Sequence, residues 1–169
     1  TVPREQVARR IEVMGIVPEK EKTFRTYKLS AGRFIEPGDS DAIVVEKLLA
    51  DDLRLQLGDK MTLQTIVGNA PPQPFVVIGI IDRRRASVNQ APMVWTSLKS
   101  VQQLVGLTDR IKGIDIMVAD PSVPSIRRTA EEVRAIIDRR NAARPGGEHV
   151  SEVLNVKTTE TQQKKLGAA

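Results

Sequence analysis

The chain has 169 residues, 40% of them apolar and 28% charged, with 26 Lys+Arg against 21 Asp+Glu, one His, no Cys and 3% aromatics. That apolar fraction and length suffice for a real core, which excludes general disorder and a pure coiled coil. The absence of Cys excludes a disulfide framework, a zinc knuckle and a thiol nucleophile.

The longest apolar run, Phe75 to Ile81, is far short of the roughly 20 residues that cross a bilayer as a helix. The chain opens on Thr1-Val2-Pro3 without a signal-peptide pattern, so an excised piece of a longer protein is expected. A net charge of +5 with both signs interspersed points only weakly to an anionic partner. The one sharp basic feature is Arg83-Arg84-Arg85.

In chain order, Ile11, Val13 and Gly15 alternate with Glu12, Met14 and Ile16, predicting a strand within 10–17 and a loop over Pro18 to Lys22. Ala31 to Ile35 runs into the turn signal Glu36-Pro37-Gly38-Asp39-Ser40, after which Ala42 to Val45 reads as a strand. Leu49, Leu53 and Leu57 recur at helical spacing, and Gly58 is expected to end that helix. A strand over Met61 to Ile66, a loop from Gly68 to Pro74, and a strand from Phe75 to Ile81 covered on both faces come next.

Pro92 to Trp95 predicts a short strand, with Ser97 as the cap of a helix through Leu98, Val101, Leu104 and Val105, closed by Gly106. Ile114, Ile116 and Val118 predict another strand, broken by Asp120-Pro121-Ser122. A longer helix then carries Ile126, Ala130, Val133 and Ile137 on one face and Arg127, Arg128, Glu131, Arg134 and Asp138 on the other. Arg144 to Gly147 ends it, and Val153 to Thr158 offers a last strand.

Catalytic and cofactor patterns are missing from the sequence. Neither Gly-x-x-x-x-Gly-Lys-Ser/Thr nor Gly-x-Gly-x-x-Gly occurs, and His149 has no nucleophile-elbow sequence to serve. The pairs Asp39/Asp41 and Asp51/Asp52 read as turn and helix-surface residues rather than as a calcium loop. Phe24, Phe34, Phe75, Tyr27 and Trp95 are too few, and too apolar in context, to be base-stacking platforms. The reading is therefore no enzyme, no cofactor and no metal.

The order of segments is more informative than any one motif. Ala31-Gly32-Arg33-Phe34, Ala42 to Ala50, Leu55-Gln56-Leu57-Gly58-Asp59-Lys60-Met61-Thr62-Leu63 and Phe75 to Ile81 follow one another at set spacing. Met93 to Leu98, Val101 to Leu107 and Gly113 to Val118 continue the series. Together, over roughly residues 8 to 140, they resemble the MacB-like periplasmic core domain of FtsX-like ABC transporter permeases.

The resemblance implies an α+β fold of two lobes: a β-rich lobe over about 20–110, inserted into a membrane-near lobe of about 1–19 and 111–160, with 161–169 leading toward a transmembrane helix. It implies a periplasmic domain of an inner-membrane permease, coupling ATP hydrolysis by a cytoplasmic subunit to movement outside the membrane, in export or lipoprotein release. The implied partners are the permease's own transmembrane helices, the ATP-binding subunit, a periplasmic adaptor or lipoprotein and a second permease copy, with no nucleic acid.

Because loops on a rigid scaffold carry recognition, the loop from Arg83 to Gln90, with Arg83, Arg84, Arg85, Asn89 and Gln90, is the first expected partner surface. The loop Val67 to Pro74 is the second. The competing reading is a stand-alone module binding an anionic partner such as nucleic acid through Arg83 to Arg85. A carboxylate hydrolase would need two converging acids, which the spacing does not supply.

Overall fold

The computed structural model describes residues 9–66, 70–83, 90–108, 110–120 and 122–143. By contact density the chain divides into two compact units, Thr1–Ile111 and Lys112–Ala169. The fold is α+β.

The first unit is built on a mixed six-stranded sheet. Its strands are β1 (Glu12–Ile16), β2 (Leu29–Gly32), β3 (Ala42–Glu46), β4 (Lys60–Leu63), β5 (Gln73–Ile81) and β6 (Met93–Ser97). The spatial order is β1-β6-β3-β5-β2, with β4 also pairing with β5. β1 is parallel to β6 and β3 to β5, whereas β6 is antiparallel to β3, and both β2 and β4 are antiparallel to β5.

Both faces of the sheet are covered. One face carries Ile43, Val45, Phe75, Val77 and Val94 under Leu49 and Ala50 of helix α2 (Lys47–Leu53) and Leu104 of helix α3 (Leu98–Val105). The other carries Ala42, Val44, Met93 and Trp95 under Tyr27, Phe34 and Ile35. Tyr27 stacks on Phe34 with ring centroids 4.6 Å apart and meets Trp95 edge-on at 5.6 Å. Every side chain of β3 is buried, the pattern of a central strand with helix on one side and chain on the other.

β5 changes face midway. Ile43 pairs with Val77 but Val44 pairs with Gly79, so Ile78 is one residue in excess. Phe75 and Val77 consequently belong to the first cluster and Ile81 to the second, although strict alternation would keep all three on one face. The bulge is where β2 crosses: the Arg33 amide donates to the Ile78 carbonyl at 3.0 Å. A Cβ on Gly79 would lie 2.1 Å from the Arg33 carbonyl oxygen, and one on Gly32 would lie 2.2 Å from that of Ile78. Only glycines permit this approach of two backbones.

Several local expectations hold. α3 begins at Ser97, whose side chain accepts from the Ser100 amide at 3.1 Å, and ends at Gly106 with φ 69°. In the second unit, helix α4 (Val123–Ala142) buries Ala130 and half-buries Ile126, Val133 and Ile137, while Arg127, Arg128, Glu131, Arg134 and Asp138 are exposed.

Three expectations are corrected. Pro18 to Phe24 forms helix α1 rather than a loop: Pro18 occupies the first turn, where its missing N–H costs nothing, and Glu19 and Glu21 favour the helix N-terminus. α2 stops at Leu53, with Arg54 in the left-handed region at φ 53°, so Leu57 is exposed and Gly58 serves a separate turn. Residues 113–118 form no strand: none of the described strands pairs with them, and Ile114 and Ile116 are exposed. The expected strand over 153–158 and the helix-ending segment 144–147 lie outside the described residues.

Candidate functional site

The arginine loop starts from the end of β5. Beyond Ile81, the Asp82 amide donates to the Lys28 carbonyl at 2.9 Å, and Lys28 Nζ lies 3.6 Å from Asp82 Oδ2. Arg83 is half-buried, and its Nη1 donates to Met93 Sδ at 3.8 Å. Met93, the first residue of β6, is itself buried, and its amide donates to Glu46 Oε2 at 3.0 Å. The chain flanking the loop is thereby gathered at one point, with Arg83 and Glu46 both meeting Met93.

Gln90 is half-buried and engaged. Arg84, Arg85 and Asn89 lie outside the described residues. Glu46, fully buried, was not singled out from the sequence. Its signal was there: an acidic residue closing the otherwise apolar run Ala42 to Val45, where burial demands a hydrogen-bond partner.

The second loop enters β5 at its other end. Nine residues at about 3.3 Å each put the two ends of β5 about 26 Å apart. Ile66 is 79% exposed, and Pro71 and Pro72 are exposed with it. Two turns of identical build stand on this half of the sheet, Glu36-Pro37-Gly38-Asp39 and Gln56-Leu57-Gly58-Asp59. In each, the Asp amide donates to the first residue's carbonyl (both 3.1 Å) and the Asp side chain accepts from the first residue's amide, at 2.8 and 3.0 Å. The Gly in third place has φ 94° or 89°, a conformation open to glycine at little cost.

Arg33 grips Asp39 with two hydrogen bonds of 2.7 and 2.9 Å. That guanidinium, helped by the Glu36 amide, holds the Asp39 carboxyl below the usual range. At the start of α3, the Ser100 hydroxyl donates to the Ser40 carbonyl, and the Thr96 hydroxyl donates to that of Ala42 at 2.7 Å. These bonds tie α3, β6 and β3 together at the same end.

Strand directions assign everything else to one end or the other. The Glu46, Ile81 and Met93 end also holds Leu29 and Glu12, through Leu29↔Ile81 and Glu12↔Met93. The opposite end holds Ala42, Ile16 and Ser97. α3 starts at Ser97 and turns back along β1: Gly15 sits beside Leu98 and Val101, and Leu104 joins the cluster on which Ile11 and Val13 pack. The described chain thus starts, at Arg9-Arg10, on the end occupied by Arg83, and α3 runs back toward that end. We call this the entry end, and the end with Ile66 the far end. The described residues that flank the two expected partner loops lie at opposite ends of β5.

Phe75 and Trp95 are 1% exposed, and Tyr27 and Phe34 stack on each other, so these rings are committed to packing rather than to bases. A shallow open depression of about 320 Å³ lies in the second unit against Val123, Pro124, Arg127, Arg128 and Glu131, and involves none of the loop residues.

A family model described as the MacB-like periplasmic core domain matches residues 1–157. The chain belongs to that family. The match runs beyond the 8–140 over which the segment order was legible. No curated protein matches the chain. Membership makes this a periplasmic domain of an ABC transporter permease, from a transport rather than a catalytic family, and associates the protein with a membrane. Among the described residues no helix is long and apolar enough to cross one.

Proposed function

We propose that this MacB-like domain transmits movement: hydrolysis of ATP by a cytoplasmic subunit shifts the permease's transmembrane helices, and the domain carries that shift to a partner outside the inner membrane. The observation that supports it is the sheet itself, with β3 buried on both faces and partner loops at opposite ends of β5. A rigid body about 26 Å long converts displacement at one end into displacement at the other, provided its partner binds the two states differently.

In this reading the entry end, with Arg83 and the neighbouring Arg84, Arg85, Asn89 and Gln90, meets the permease's own membrane-near parts. Residues 1–19 and 111–160 form the membrane-near lobe, 20–110 the inserted lobe, and 161–169 lead to a transmembrane helix. The far end, around Ile66, Pro71 and Pro72, meets a periplasmic adaptor or a lipoprotein, in export or lipoprotein release by a permease dimer.

The chain has no Cys of its own, so a cysteine introduced into it gives a direct test once any elsewhere in the parent permease is replaced. Lys60→Cys in the parent permease is expected to react with a membrane-impermeant maleimide reaching the periplasm of unlysed cells. Labelling only after the inner membrane is opened would overturn the assignment. Replacing Arg83, Arg84 and Arg85 together by Ser is expected to abolish transport while the ATP-binding subunit still hydrolyses ATP. Unchanged transport would remove the loop from the coupling path.

A further inference from the structure

Past α3 the chain loses its packing. Both apolar clusters of the sheet draw only on residues from Ile11 to Leu104, and none of the described residues from Val105 to Thr129 is buried. A connection without buried side chains depends on its hydrogen bonds. The Gly106 and Leu107 amides donate to the Gln103 and Gln102 carbonyls at 3.2 and 2.9 Å and close α3. Further along, Gln102 Nε2 donates to the Arg110 carbonyl at 3.0 Å, so Gln102 holds the chain at two points, through its carbonyl and through its side chain. The boundary between the two units falls between Ile111 and Lys112, directly after that second bond. Ile111, Lys112 and Gly113 are exposed, and a Cβ on Gly113 would meet nothing within 4 Å.

We propose that Gln102 is a latch and that residues 111–113 are a joint. The latch fixes the connection to α3, so that movement of the second unit pulls on the sheet instead of being taken up as slack. The inference rests on the transmitting role proposed above. With the latch made, three residues separate Arg110 from Ile114, about 10 Å of extended chain. Without it the anchor falls back toward the Leu107 amide, and up to six residues, about 20 Å, are drawn out before force reaches the helix. The latch is a neutral amide on a carbonyl, so salt does not screen it as it screens a surface ion pair.

The test uses the 169-residue chain. Spin labels on Lys99→Cys in α3 and Arg134→Cys in α4, both exposed positions, read the distance between the units. The distribution is expected to broaden in Gln102→Ala and to narrow in Gly113→Pro, which fixes φ at the joint. Gln103→Ala makes the same change one residue along, takes no bond from Arg110, and should leave the distribution as it is. Trypsin cleavage after Arg110 and Lys112 should speed about fivefold in Gln102→Ala, the loss of one hydrogen bond, and less than about twofold in Gln103→Ala. In the parent permease, Gln102→Ala is expected to lower transport per ATP hydrolysed, while Gln103→Ala leaves that ratio unchanged.

A distance distribution that Gln102→Ala leaves unchanged, or equal trypsin rates in the two glutamine variants, would overturn the proposal. So would an unaltered ratio of transport to ATP hydrolysis in Gln102→Ala. The maleimide experiment reads the permease assignment separately. Labelling as expected with equal trypsin rates sinks the latch alone. A faster cut in Gln102→Ala with labelling only after lysis sinks the periplasmic assignment and keeps the joint.

Discussion

The entry and far ends of the sheet are held by different physics. At the far end the contacts are many and polar: two Gly-Asp turns closed by their own carboxylates, the Arg33–Asp39 pair and the Ser97 cap are local, and the bonds from Ser100 to Ser40 and from Thr96 to Ala42 reach across the sheet. At the entry end the buried side-chain bonds among the described residues are fewer, with Glu46 accepting from the Met93 amide, 47 residues away. An end cross-tied by several bonds keeps its shape when its neighbours move, while one that depends on the buried Glu46–Met93 bond is linked directly to whatever moves the loop. The proposed transmitter would use this difference, with an input that responds and an output that holds its form.

The bulge at Ile78–Gly79 separates the two ends, and disrupting it should have the largest effect. Gly79→Ala puts a methyl against the Arg33 carbonyl, backbone against backbone, so a strand must shift. A loss of more than about 3 kcal/mol is expected by chemical denaturation. Gly38→Ala, in a far-end turn with open space around it, meets only the left-handed penalty of about 1–2 kcal/mol. Equal losses would mean that β2 can withdraw from β5 and that the two halves are not rigidly joined.

Next in size is the entry-end bond. Glu46→Ala leaves the buried Met93 amide without this acceptor and should cost about 2–3 kcal/mol. Glu46→Gln keeps a carbonyl oxygen there and should cost about 1 kcal/mol. Hydrogen exchange should rise in the segment from Arg83 to Met93 for Glu46→Ala, with the Ser97 and Ser100 amides at the far end unchanged. Exchange rising equally at both ends would break the contrast.

Which of these features could be read from the sequence follows from the same distinction. β1, β3, β5, β6, α3 and the α4 face were legible because alternation, the Ser97 cap and Gly106 are signals carried within a few residues. The misreadings each involve a residue with two uses. Pro18 breaks a helix or starts one, and Gly58 ends a helix or makes a turn. The alternation of Ile114 and Ile116 makes a strand only if a neighbour supplies hydrogen bonds. The candidate loop was legible as a basic run, but its position was not, because that depends on β3 and β5 being parallel and α3 folding back. Glu46 was invisible for the same reason: its role is set by Met93, across the sheet.

A smaller effect is expected at the far end from Ser97→Ala, which removes the acceptor for the Ser100 amide. Loss of one helix cap costs about 1 kcal/mol, and Ser97→Asp should restore most of it because a carboxylate caps equally well. Failure of Asp to rescue would assign the cost to the bond between the Ser97 and Ser100 hydroxyls, 2.7 Å apart, instead of the cap.

The smallest expected change in stability is also the most specific. Tyr27, the sole tyrosine, covers the second face beside Phe34 and Trp95, and its hydroxyl donates to Glu21. Burial, then the Glu21 carboxylate, pushes its pKa up to about 12. An unfolded tyrosine ionises near pH 10, so the fold favours the neutral phenol. This contribution is whole below about pH 10 and is lost as pH rises from there toward 12. Because the ring is half-exposed, water screens much of the interaction, and the loss of stability should be slight. Tyrosinate absorbance reads this group alone: its midpoint should fall in Glu21→Gln but stay above 10, since burial is the larger cause. A midpoint near 10 in the unaltered protein would mean that the segment from Tyr27 to Ile35 does not cover Trp95. The two ends would then be joined by β5 and its neighbours on one face only.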